Sequence, residues 1–119
     1  MDLLKMIAAA KKHPKADRIG MILCHNGVVR GTSRDGRDVS GLRIAVDHDK
    51  LQAVIAKNTQ QPGIVDIQVE IAEGRDLAVG DDVMFLVVAG DIREHVIAAL
   101  TDTLNAVKSS VTKKTQFFI

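Results

Sequence analysis

The run Val83-Met84-Phe85-Leu86-Val87-Val88 offers no polar residue to either face of a strand. Such a segment belongs in the middle of a sheet that is covered on both sides. Only Ala89 and Gly90 separate it from a helix start signal, Asp91 as N-cap with Glu94 three positions later to close a capping box. A long amphipathic helix is predicted from there, with Ile92, Val96, Ile97, Leu100, Leu104 and Val107 on one face. It ends near Lys108-Ser109-Ser110, and the chain leaves through Val111-Thr112-Lys113-Lys114-Thr115 into the apolar end Phe117-Phe118-Ile119.

The preceding chain supplies partners for that strand. Residues 2 to 12 read as a short helix with Leu3, Leu4 and Ile7 at i, i+1 and i+4, closed by His13-Pro14 because the residue before proline avoids the helical region. The apolar stretch from Gly20 to Arg30 predicts a buried strand, with Gly27 suggesting a bulge or a close backbone approach. A polar, glycine-containing segment from Gly31 to Asp38 then predicts a mobile surface loop, whose arginines are solvated by default. Val39 to Val46 reads as a second strand. Asp47 caps a helix from Asp49 to Asn58, with Leu51, Val54 and Ile55 as its stripe. Val65, Ile67, Val69 and Ile71 alternate with polar residues, the pattern of an antiparallel strand with one wet face. A short Leu77-Ala78-Val79 leads to a turn at Gly80-Asp81. The predicted order is α-β-β-α-β-β-α-β, an α+β domain over residues 1–119 with helices packed on a mainly antiparallel sheet.

Composition removes several function classes. The chain has 119 residues, no Trp, no Tyr and three Phe, too few aromatics for a base-stacking platform. A net charge of +1 gives no global field towards nucleic acid or membrane. No segment approaches the roughly 18 apolar residues of a membrane span, and the N-terminus lacks an export pattern, so a cytoplasmic protein is expected. The single cysteine, Cys24, excludes an internal disulfide and reads as a small buried hydrophobe rather than a nucleophile. Zinc-ligand spacing, phosphate-binding glycine loops and hydrolase elbows are absent, so neither metal nor cofactor is expected. His95 reads as a surface histidine.

What remains is cationic. Arg30 closes the first strand, Arg93 sits in the first turn of the last helix, and Lys108, Lys113 and Lys114 gather at its far end. Lysines at a helix C-terminus complement its dipole, whereas Arg93 opposes the dipole at the other end. Arg93 and Lys108 stand roughly 22 Å apart along a helix at 1.5 Å per residue. One small ligand reaches both only if a second subunit contributes.

The order of these segments resembles the large, catalytic subunit of molybdopterin synthase, the MoaE family. The resemblance rests on Gly27-Val28-Val29-Arg30 before a polar loop and Val39; on Leu77-Ala78-Val79-Gly80-Asp81-Asp82-Val83; and on a helix holding Arg93 and ending in Val107-Lys108, with Lys113-Lys114 beyond. It implies an α/β-hammerhead-like fold and a homodimer that receives, at each end, a small ubiquitin-like (MoaD-like) subunit, giving a heterotetramer. That subunit would carry sulfur as a thiocarboxylate on a Gly-Gly tail. The implied reaction is sulfur transfer to a cyclic pyranopterin phosphate, forming the dithiolene of the molybdenum cofactor. Lys108 and one of Lys113 or Lys114 would be catalytic, a crowded lysine being depressed in pKa. Arg30, Arg93 and Arg37 would bind the anionic groups.

The chain departs from the family pattern at chemistry-bearing positions. Ile92-Arg93 stands where the family usually has His-Arg, and Ala72-Glu73 where a second such pair is expected. The alternative expectation is therefore a non-catalytic member of the fold, a dimeric partner- or anion-binding domain; a free-standing anion sensor is a third.

Overall fold

The computed structural model describes all residues, 1–119. The strands are β1 (Met21–Val28), β2 (Val39–Val46), β3 (Ile64–Ile71), β4 (Asp76–Ala78), β5 (Asp82–Gly90) and β6 (Thr112–Phe118). The helices are α1 (Leu3–Lys11), α2 (His48–Thr59) and α3 (Arg93–Ala106), and a π-helical turn, Val107–Val111, joins α3 to β6. The expected order gains one strand, because the segment containing Leu77 pairs with β2 through Gly41, Leu42 and Arg43.

Two antiparallel sheets replace the single one expected. In the first, β5 lies between β1 and β3; in the second, β2 lies between β4 and β6. The apolar run of β5 is central for the reason its sequence suggests. Leu86 and Val88 face Val96 and Ala99 of α3, while Phe85 and Val87 face Met6 of α1. Helices thus cover both faces of one strand, and Leu86, Val88 and Val96 are fully buried. Each such side chain contributes about 1.5–3 kcal/mol relative to exposure.

Several local expectations turn out differently. The inward residues of α1 are Met6 and Ala10, and Leu4 is exposed; the stripe is rotated because Met6 reaches the Phe85–Val87 cluster. On α3 the buried positions are Val96, Ala99 and Thr103, whereas Ile92 and Ile97 are exposed. Ile92, not Asp91, is the N-cap of α3, and no side chain caps it. The Asp91 carboxylate is used otherwise: Oδ1 accepts from the Ile92 N–H at 2.7 Å and pairs with His95 Nδ1 at 2.7 Å. Gly31 to Asp38 is a closed turn, with a bridge between Thr32 and Asp38 and a buried Ser33 that hydrogen-bonds Asp35.

Other expectations hold. Asp47 caps α2 by accepting from Lys50 N–H at 3.1 Å, and the register of β1 slips between Gly27 and Val28, the bulge marked by glycine. Gly41 is required by close approach, since a Cβ there would strike the Leu77 carbonyl oxygen.

The two sheets are sewn together where β3, β5 and β2 meet. Gly74 N–H donates to Ile44 O at 3.0 Å and Ala72 N–H to Val83 O at 2.8 Å. Val29, Leu42, Ile44, Ala72 and Leu77 form the core beneath this junction. No helix is long and apolar enough to cross a membrane.

Candidate functional site

The junction opens into a cleft of about 350 Å³. One wall comes from β1 (His25, Gly27, Val28), the floor from Ile44 and Met84, and the opposite wall from Val107 and Lys108 of the π-helical turn with Thr112 and Lys114 of β6. Arg34 reaches in from the β1–β2 turn. The charged lining is Arg34, Lys108 and Lys114, and no carboxylate is present. Seven of the thirteen lining residues are apolar, so three exposed cations stand beside an apolar floor.

The backbone explains why these lysines converge. The widened turn forms where serine hydroxyls compete for the last helical carbonyls: Ser110 Oγ donates to Ala106 O at 2.8 Å, and Thr112 Oγ1 to Val107 O at 3.3 Å. π-Helical turns of this kind gather at functional sites because they aim a side chain off the regular helical path. Val107 and Val111 anchor the turn in the core with Leu51 and Met84, and Lys108 between them is exposed at the cleft. β6 then begins at once, and its two-residue period decides between the paired lysines. Lys114 falls on the side of Thr112, in the cleft. Lys113 points the other way, into a broader depression with His48, Asp49 and Ser110.

The arginines expected to bind anions lie elsewhere in the single chain. Arg30 Nε donates to Thr32 O at 2.8 Å and holds the turn. The guanidinium of Arg37 stacks on the Phe118 ring, 3.6 Å from its centre. Arg93, at the start of α3, pairs with its neighbour Glu94 at 3.4 Å. None of the three lines the cleft.

Two lining residues were not singled out by sequence reasoning. Arg34 was indistinguishable from any other loop arginine. His25 left a signal: it shares a strand face with Leu23 and Gly27, opposite Leu86, so period-two alternation turns it towards α3 and the widened turn. Its pKa lies below the ordinary histidine value, chiefly because burial disfavours the charged ring and secondarily because Lys108 repels it. Its Nε2 is enclosed and has no hydrogen-bond partner. Cys24 faces the opposite side, against the Met6 cluster, and burial raises its thiol pKa.

Fold and cleft together define a class: an α+β chain of two antiparallel sheets whose junction gathers two lysines and an arginine in one cleft. The sequence signature described as MoaE protein matches residues 2–110, and the chain belongs to that family. Among solved structures, it is similar to "Molybdopterin cofactor biosynthesis protein E from Burkholderia multivorans ATCC 17616", at 21% identity and a TM-score of 0.77, covering 100% of this chain and 84% of that one. It is also similar to the Burkholderia ambifaria MoaE protein (17% identity, TM-score 0.76, 99% and 83% covered). A third is the molybdopterin synthase of Staphylococcus aureus (16%, 0.74, 87% and 77%). At these identities the likeness speaks to the fold. No functionally curated protein matches the chain in sequence.

Proposed function

We propose that the protein acts in molybdenum-cofactor biosynthesis as the sulfur-transferring subunit of a molybdopterin synthase. A small ubiquitin-like partner would deliver sulfur as a C-terminal Gly-Gly thiocarboxylate, and a cyclic pyranopterin phosphate would receive it. Membership of the MoaE family supports this reading, as do neighbours that include a complex of both molybdopterin-converting-factor subunits from Helicobacter pylori. The observation that carries it is the meeting of Lys108 and Lys114 in one carboxylate-free cleft.

In this reading the tail carboxylate derivative and the substrate phosphate, both anions, enter a site with three cations. Lys108, on the rigid turn, faces the reacting centre, where its ammonium stabilises the charge that develops on oxygen during acyl–sulfur chemistry. Lys114 and Arg34 hold the phosphate, Arg34 by a two-pronged contact that a lysine cannot make. The apolar floor takes the tail and excludes water. A homodimer would bring Arg93 or Arg30 of a second copy towards the same cleft.

Reconstitution with a thiocarboxylated partner and substrate is the test. Lys108→Ala should lower dithiolene formation by about 100-fold or more, with the oligomer and melting temperature unchanged. Wild-type activity surviving in Lys108→Ala would remove the lysine from the mechanism. The second reading, a non-catalytic partner-binding member, is favoured by one observation. Glu73, standing where a phosphate-binding cation is expected, is bound to His48 at 2.6 Å, outside the cleft. It predicts capture of the partner with no product.

A further inference from the structure

The cleft holds three groups that can donate a proton or stabilise an anion, Lys108, Lys114 and Arg34, and no carboxylate that could take a proton. Charged lysine and arginine are donors only. Thr112 has its hydroxyl turned to the Val107 carbonyl at 3.3 Å and does not titrate. His25 is the one titratable acceptor in the lining. Its Nε2 has no partner and is shut away from solvent, a state that is costly for a buried polar atom. Gly27 makes room for the ring, since a Cβ at that position would lie 3.3 Å from Nε2. The outer torsion of a histidine is soft, so the ring can turn a nitrogen to an occupant of the cleft.

Sulfur transfer from a thiocarboxylate has a chemical requirement that lysines alone do not meet. Once the sulfur has bonded to the substrate, it is still bonded to the acyl carbon of the carrier tail. Freeing it takes water: an O–H bond breaks, a C–O bond forms at the acyl carbon, and the C–S bond breaks with its electron pair leaving on sulfur. Neutral water is a poor nucleophile, and the proton it loses needs an acceptor.

We propose that His25 is a further catalytic residue of this cleft, the base that takes the proton from the water that opens the acyl–sulfur bond. The proposal rests on the sulfur-transfer reading above. The charged groups that line the cleft with the ring are Lys108 on the widened turn, Lys114 on β6 and Arg34 on the β1–β2 turn, all cations, and Lys108 is the one that acts on it; β3 and β5 contribute apolar Ile71, Val83 and Met84. Burial and Lys108 both keep the imidazole neutral, so it is ready as an acceptor at neutral pH. The same burial and the same Lys108 disfavour its protonated form, and the proton passes on to the departing sulfur or to bulk water. Lys108 serves the developing oxyanion and His25 the proton, one residue for each charge.

Two measurements decide the matter. The first uses the protein alone: the His25 ring is titrated by NMR in wild type and Lys108→Met, each with and without inorganic phosphate. His25 should titrate below the ordinary histidine value, and should move up on removal of Lys108 and again when phosphate occupies the cleft. A ring indifferent to both changes overturns the proposal. The second is turnover with thiocarboxylated partner. His25→Gln, which keeps a polar side chain but takes no proton, should lose about 100-fold or more in kcat, with KM within about three-fold. The acid limb of its pH profile should also disappear. His25→Gln retaining wild-type kcat and acid limb overturns it equally. If wild-type protein itself transferred no sulfur, the enzymatic reading would fall and the role of His25 with it; wild-type turnover with an unimpaired His25→Gln would overturn His25 alone.

Discussion

Lys113 and Lys114 are chemically identical neighbours, and only the strand they occupy separates them. In the sequence both stood beyond a helix end with equal claim to a site. What assigns Lys114 to the cleft is the pairing of β6 with β2, with Lys114 opposite Ile44 and Lys113 opposite Ala45. That register depends on where the widened turn releases the chain, which composition and spacing do not encode. Thr103 is a second residue whose role waited on packing. It lies on the inner face of α3, fully buried, with its hydroxyl unpartnered. A valine of the same shape removes the unmet donor and acceptor and leaves no cavity. Thr103→Val should therefore raise stability by about 1 kcal/mol in chemical denaturation, by moving the midpoint with an unchanged slope. A clear loss of stability would mean that the hydroxyl has a partner in solution.

At the scale of elements, β2, α2, β3 and β5 were legible because each has an unambiguous period or cap. Asp47 closes the first turn of α2, and β3 alternates without a break. The α3 start was less so. Asp91 and Glu94 have the spacing of a capping box, yet the chain is drawn into the Gly63 turn by the Asp91 N–H donating to Gly63 O at 3.0 Å. The helix then begins two residues later, with Arg93. Asp91 still supports that first turn, through His95 one turn along. Its carboxyl pKa is held below the ordinary carboxylate value, first by the hydrogen bond from His95 and then by the Ile92 N–H. A carboxyl with a depressed folded-state pKa stabilises the fold fully above its unfolded value, 3.8, and loses that contribution as pH falls through the folded value. The urea midpoint of wild type should thus exceed that of Asp91→Asn at pH 7, and the gap should shrink as the pH falls below the unfolded value of 3.8. A gap that stays constant below that value would show that Asp91 acts through geometry rather than charge.

The whole molecule measures 49 × 25 × 24 Å, and its two sheets share no strand. That the chain is α+β with antiparallel pairing follows from its sequence; that it divides into two sheets does not. The division rests on long-range choices, β6 returning to β2 and β4 adding to the far edge, which local patterns leave open. The cleft exists because of that division, with β1, β3 and β5 on one side and β2 and β6 on the other. A ligand bound there touches both sheets and binds only when they are docked, so its binding free energy adds to the stability of the whole fold. Binding of that kind stabilises by about 2.7 kcal/mol at a ligand concentration of 100 times Kd. Pyrophosphate, a dense anion of suitable size, should raise the melting temperature of wild type in a saturable way. The shift should be lost in Lys114→Ala and in Lys108→Ala, and kept in Lys113→Ala, whose side chain faces the other depression. Added sodium chloride at matched ionic strength should reproduce little of it, because two or three cations over an apolar floor bind a multivalent anion better than they attract a screened atmosphere. Equal loss in all three lysine variants would place the anion on the outer surface of β6, and the cleft would lose its claim to the substrate phosphate.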